Sequence, residues 1–283
     1  MTTSDHHGAE CPRRFSLGNS HAAYRGLVPS PTRRLADIGA EAALIAGGGR
    51  AILLQLANPA IGHAIARHSD FARDPLTRLR HTLTFVYALV YGTPGQRARA
   101  TAHVNRAHAP VVSTADETPS YRATDAGLQL WVAATLYDTA TQLHGLLVGP
   151  LTDAELDAVY ADYEVVGTAL QVPPGVWPRD RAAFDEYWQA QLAQLTVDDE
   201  ILRMTRALLH PQSGPVWLRA GMPLGRLLTA GLMPPSLRPA FGLPWGPRRA
   251  RRFRMALRTL SAVNRMLPRR LRQWPKNYLL RRL

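Results

Sequence analysis

Apolar positions along this chain recur at helical spacing, and period-2 alternation is almost absent. IGAEAALIA leads into GGGRAILLQLANPAIGHAIARHS, an apolar stretch with helical periodicity. Asp74-Pro75 then opens a helix with Asp as N-cap and Pro in the first turn. The pattern predicts that helix over residues 75–91, ending at Gly92, with Leu76, Leu79, Leu83, Val86 and Val90 as its core stripe. Pro94 begins the next helix, to about residue 109, and residues 110–120 read as a loop. Gly127–Leu147 is a long, mostly apolar helix. Thr152 and Glu155 form a T-x-x-E capping box for a helix to about residue 170. After the loop VPPGVWP, helices are predicted at 180–195 and 198–209, then Pro-rich turns, then one helix near 248–266. No Asn-Gly or Asp-Gly hairpin and no internal repeat occurs. The expected fold is all-α, a single multi-helix domain.

Composition adds core and charge to this pattern. Of 283 residues 46% are hydrophobic and 19% charged, enough for a sizeable core and unlike a disordered chain. Charge is segregated. Residues 246–283 hold twelve arginines, one lysine and no acid, while residues 1–245 hold 21 basic and 21 acidic residues. This divides the chain into a polar segment, 1–30, expected to be poorly ordered; a neutral helical body, 31–245; and a basic tail, 246–283. A single cysteine, Cys11, excludes disulfide frameworks and cysteine-based metal sites within one chain. Arg13-Arg14 is not followed by an apolar h-region, so a cytoplasmic location is expected. The apolar run from Ala42 to Ala66 is interrupted by Arg50, Gln55, Asn58 and Pro59, which favours buried core helices over a membrane span.

Candidate chemistry lies on three helices. In HVNRAHAP, His103 and His108 are five residues apart, about 140° around a helix, so they do not share a face. His108 aligns with Ala100, Val104 and Val111 and points inward; His103 aligns with Arg99 and Arg106 and points to solvent. On the preceding helix Arg78, His81, Thr82 and Phe85 fall at i, i+3, i+4 and i+7, either a solvated face or the wall of a pocket. Asp138 sits in an otherwise apolar helix and needs a cation or several donors, for which Arg78 or a ring N–H of His108 is a candidate. A structural ion pair and a functional role are both open for it. His63 and His68 are again i, i+5 and do not pair, and GGGR lacks the G-K-[ST] of a P-loop and reads as close helix packing or a turn. Hydrolase, zincin and Rossmann motifs are absent.

Three blocks taken together, RAILLQLANPAIGHAIARHSDFARDPLTRLRHTLTFVYALVYGTP, HVNRAHAPV and YRATDAGLQLWVAATLYDTATQLHGLLVGPLTDAEL, resemble the MpaB-like oxygenase family. That family includes the latex-clearing proteins (rubber oxygenases) and a fungal oxygenase of mycophenolic acid biosynthesis. The resemblance runs from about Leu35 to Trp245. It implies a haem b protein with a globin-like helical core. It also implies His108 as the proximal iron ligand, and Arg78, His81 and Thr82 on the distal side at the positions of an Arg-x-x-Lys-Thr motif. His81 replaces the motif's lysine, so it is either a second axial ligand or a hydrogen-bond partner for O2. Arg78 and Thr82 would donate to O2 or peroxide, or Arg78 would bind a haem propionate; Asp138 is the candidate to orient His108.

The expected activity is therefore a haem-dependent oxidation of a small apolar organic substrate by O2, the alternative being a haem-binding or sensing protein without turnover. No base-reading motif points to nucleic acid. The tail mixes arginines with Phe253, Met255, Leu257, Leu260, Val263 and Leu267. A terminal helix packed on the body with a solvated arginine face is favoured for it, and peripheral contact with an anionic membrane is the alternative.

Overall fold

The computed structural model describes residues 32–68, 74–212 and 214–283. The expectations for residues 1–30, including Cys11 and the Arg13-Arg14 pair, lie outside the described residues. After a short helix α1 (Leu35–Ile38) and a 3-10 turn (Ala42–Gly47), the apolar run forms two helices, α2 (Gly48–Leu56) and α3 (Pro59–His68). The break falls where Asn58 Oδ1 accepts from the Ile61 N–H at 3.2 Å and Pro59 cannot continue the ladder of α2. The turn-plus-α2 segment and α3 meet at 105°. Among the described residues no single helix is long and apolar enough to cross a membrane; only this bent pair passes by composition. Leu53, Leu54 and Leu56 of α2 are fully buried. The reading of this stretch as core holds.

The helices that follow are α4 (Pro75–Tyr91), α5 (Pro94–His108), α6 (Ala126–Leu147), α7 (Asp153–Gly167), α8 (Arg181–Leu192) and α9 (Asp199–Leu209). Their starts are set by local caps: Asp74 accepts from Thr77, Asp125 from Leu128, Asp180 from Ala183 and Asp198 from Ile201, and capping boxes form at Thr93/Gln96 and Thr152/Glu155. The fold is all-α, and among the described residues the only β pairing is one isolated bridge, Val112 with Arg122.

Helix α6 is the spine. It packs against α2, α7 and the 3-10 turn. Trp131, fully buried, donates its ring N–H to the Leu54 carbonyl at 3.1 Å. Tyr137 sits among Tyr160, Tyr163, Trp177 and Phe184 with ring centroids 5.0–6.2 Å apart. Such edge-on aromatic packing adds about 0.5–1.5 kcal/mol per pair beyond area burial. Gly47 faces Thr139 so closely that an added Cβ would lie 2.5 Å from its methyl, and Gly49 faces Thr229. GGGR is thus a close-packing element, as expected.

A helix at Val216–Leu232, α10, stands where Pro-rich turns were expected. Pro223 lies inside it and removes one ladder hydrogen bond. Burial of Leu228, Ala230 and Leu232 against α2 and α11 (Pro247–Met266) offsets that loss. Helix α11 packs on α10 and α6, with Phe253 against Gly231 and Leu257 buried. Gly231→Ala would push its methyl into the Phe253 ring. It is expected to cost about 1–3 kcal/mol, read as a lower urea midpoint; an unchanged midpoint would mean α11 is not seated there.

The basic tail docks on the body. After α12 (Arg269–Arg272), α13 (Trp274–Leu280) lies on α4, with the Lys276 ammonium 4.8 Å from the Tyr91 ring centroid. Arg272 pairs with the buried Glu41 at 3.0 Å, and the side chains of Gln96 and Arg99 donate to the Leu280 and Leu283 carbonyls. Most arginines of α11 are exposed, as are Met266, Leu271 and Trp274.

Candidate functional site at the α4–α5 hairpin

Two residues, Gly92 and Thr93, join α4 to α5, so the helices run antiparallel as a hairpin. One ring contact and one electrostatic interaction are consistent with this register. His81 and His103 meet edge-on with ring centroids 5.4 Å apart. Arg78 is close enough to His108 for its charge to act on the imidazole. Antiparallel pairing thus sorts the four side chains into Arg78 with His108 and His81 with His103. His103 is exposed, as its arginine neighbours required.

His108 is half-buried in the last turn of α5. Burial, and then the charge of Arg78, hold its pKa below the ordinary imidazole value, which keeps the ring neutral. Its Nδ1 is buried and has no hydrogen-bond partner. Arg78 is partly buried, and desolvation lowers its pKa, although a guanidinium remains charged at neutral pH. Thr82 lies one turn on from Arg78, followed along the same stripe by Phe85 and the buried Leu89, which enter the main core. His81 is exposed, and its pKa is lowered by desolvation and then by His103 and Arg80.

The helix pair is loosely covered around this site. No side chain between residues 75 and 86, or between 101 and 120, is fully buried. The expected stripe of Leu76, Leu79, Leu83, Val86 and Val90 is only partly covered; the buried residues of α4 are Tyr87, Ala88 and Leu89. Leu79 and Leu83 of α4, Val104 of α5 and Val111 just beyond it are half-buried, with Leu79 next to Gly48 of α2. Farther round, Gln171 bonds Asn105 Oδ1 at 2.9 Å and Gln129 at 2.6 Å, tying the end of α5 to the start of α6.

Asp138 takes its cation from elsewhere than expected. Arg50 of α2 donates to it at 2.5 Å, to Thr139 Oγ1 at 2.5 Å and to the Leu232 carbonyl at 2.9 Å. Neither Arg78 nor His108 supplies its partner, and with Nδ1 of His108 unpartnered Asp138 does not orient that ring. Burial raises the Asp138 pKa, and Arg50 opposes the rise. Arg50 belongs to no motif and was not among the expected partners of Asp138. Its signal was a lone cation in an apolar run matching a lone carboxylate in another. His63 and His68 part company as expected, the first to Asp198 at 2.8 Å and the second to the Tyr121 hydroxyl at 3.0 Å.

Residues 35–262 match the family model described as ER-bound oxygenase mpaB/B'/rubber oxygenase, catalytic domain. The chain belongs to this oxygenase family. Two relatives, uncharacterized proteins of Mycobacterium bovis and Mycobacterium tuberculosis, are each 38% identical over 224 residues, covering 77% of this chain and 88% of theirs. No solved structure matches the chain. The family match takes in the α4–α5 hairpin, the α6 spine and α10, and extends into α11 as far as residue 262.

Proposed function

We propose that this member of the MpaB/rubber-oxygenase family is a haem b-dependent oxygenase that oxidises a small apolar organic substrate with O2, and that His108 is the axial ligand of the iron. The observation that carries the reading is His108 itself. It is half-buried at the end of α5, with a buried, unpartnered ring nitrogen and a pKa lowered by burial and by the nearby charge of Arg78, which keeps the ring neutral. Among the described residues no three of His, Cys, Asp and Glu come together to hold a bare metal ion. A single histidine suits an iron whose other ligands come from a macrocycle. The residues present fit the group.

Haem would supply the O2 chemistry. The chain's part is to hold and surround it. His108 would ligate in its neutral form, which burial and Arg78 already favour. Arg78 offers a partly desolvated guanidinium for a propionate or for an oxygen-side hydrogen bond, and Thr82 offers a hydroxyl one turn away. Leu79, Leu83, Val104 and Val111 would exclude water and admit an apolar substrate. His81 is assigned to the His103 side of the hairpin, and Asp138 to a structural pair with Arg50.

Absorption spectra of the purified protein, oxidised and reduced, before and after titration with hemin, test the proposal. A Soret band at one haem per chain is expected, together with ¹⁸O incorporation from labelled O2 into an added alkene. A protein that takes up no haem overturns the reading; haem without labelled product overturns the oxygenase part.

A further inference from the structure

A second site lies away from the hairpin. Helices α9 and α10, the turn at 241–244 and the start of α11 line a half-open cleft of about 880 Å3, within the usual range for small-molecule sites. None of its lining residues belongs to α4 or α5. Leu227, Ala230, Phe241 and Leu243 make an apolar floor. Arg206, Arg226, Arg249 and Arg252 line it as well, and among the described residues no carboxylate lines it or pairs with any of the four.

We propose that this cavity binds a single-chain anionic amphiphile, an aliphatic body with a phosphate or carboxylate head. Four like charges that line one cleft repel one another, and an anion bound there relieves that repulsion. Two of the guanidiniums are held by backbone: Arg226 donates to the Leu209 carbonyl at 3.0 Å and Arg249 to the Pro244 carbonyl at 2.8 Å. Each guanidinium carries five N–H donors, so these bonds position the group and leave donors for a ligand. Thr205 adds a buried hydroxyl at the cavity wall that has no partner. The floor is aliphatic apart from Phe241, and the polar lining is mainly cationic, so a sugar would find few acceptors while an alkyl chain finds matching surface. Arg249 and Arg252 come from the basic tail, which gives part of its charge a task independent of the haem site.

Calorimetric titration of the full chain with monomeric dodecyl phosphate, below micelle formation, tests this. Saturable one-to-one binding is expected. It should weaken about tenfold or more, about 1.4 kcal/mol or more, in the Arg226→Gln/Arg252→Gln double variant, which removes two of the four charges. Inorganic phosphate and dodecanol should each bind at least about tenfold more weakly than dodecyl phosphate. Arg252 is exposed on α11, so Arg252→Gln alone, with about half the effect in free energy, guards against misfolding of the double variant. Absence of saturable binding, or equal affinity in the variants, overturns the proposal. So does inorganic phosphate or dodecanol binding as tightly as the amphiphile. Arginine-dependent binding to anionic vesicles with no binding of the monomer would move the function to a membrane surface and equally overturn it. Haem uptake is read separately by absorption, so failure of either proposal leaves the other standing.

Discussion

Arg50→Ala is expected to destabilise the protein by about 3 kcal/mol, the lower end of what loss of one partner in a buried ion pair costs. The side chain is 4% exposed and joins three elements: Asp138 and Thr139 of α6, and the Leu232 carbonyl that ends α10. Its guanidinium also stands 5.7 Å from the Trp188 ring centroid. Truncation leaves the Asp138 carboxylate without its cation and a buried carbonyl without its donor. Asp138 retains 27% side-chain exposure, so water offsets part of the loss. For a chain of this size the melting temperature should fall by roughly 6–12 °C. Asp138→Asn keeps an acceptor facing Arg50 and should cost less, about 1–2 kcal/mol.

The penalty should depend on pH in a defined direction. Arg50 lowers the Asp138 pKa against a larger rise caused by burial, so its removal raises the folded-state value further. A carboxyl whose folded pKa exceeds its unfolded one binds more protons folded than unfolded, and stability falls as pH rises through that window. The deficit of Arg50→Ala relative to the parent should therefore be smaller at about pH 4, where Asp138 is partly protonated, and larger at about pH 7. Urea denaturation at the two pH values measures it. A deficit that does not grow with pH would mean that Arg50 acts through Thr139 and Leu232 and not through the charge of Asp138.

What was legible in the sequence follows the range of the interactions involved. Helices α4 to α9 were readable because their caps are local: Asp74, Thr152 and Asp198 each bond an N–H three residues on. Helix α10 was not, because Pro223 and the flanking Pro215 and Pro234 argue against a helix on propensity alone. What holds it is tertiary, the fit of Thr229 over Gly49 and of Phe253 over Gly231. The inward turn of His108 could be read from its own helix, since Ala100 and Val104 mark that face. The partner of Asp138 lies 88 residues away on α2, where only charge parity between two apolar helices hinted at it. The arginine-lined cavity has no motif, being assembled from parts of four segments.

His108→Ala is expected to remove most of the Soret absorbance gained on titration with hemin, while His81→Ala retains it. Loss of an axial ligand should weaken haem binding by more than the ~10–100-fold that follows loss of a ligand's outer hydrogen-bond partner. The two histidines have different neighbours in the hairpin, His108 with Arg78 and His81 with His103, so one substitution should not mimic the other. The fold should survive both. His81 is exposed, His108 is half-buried at the end of α5, and Ala is the better helix former at either place. Added imidazole should restore the band in His108→Ala, because a small ligand can enter the space left by the ring; a histidine that only packed would show no such rescue. Retention of the full band in His108→Ala would remove it from the iron. Loss in His81→Ala instead would place the ligand on the His81–His103 side, with Arg78 acting on the cofactor from its edge.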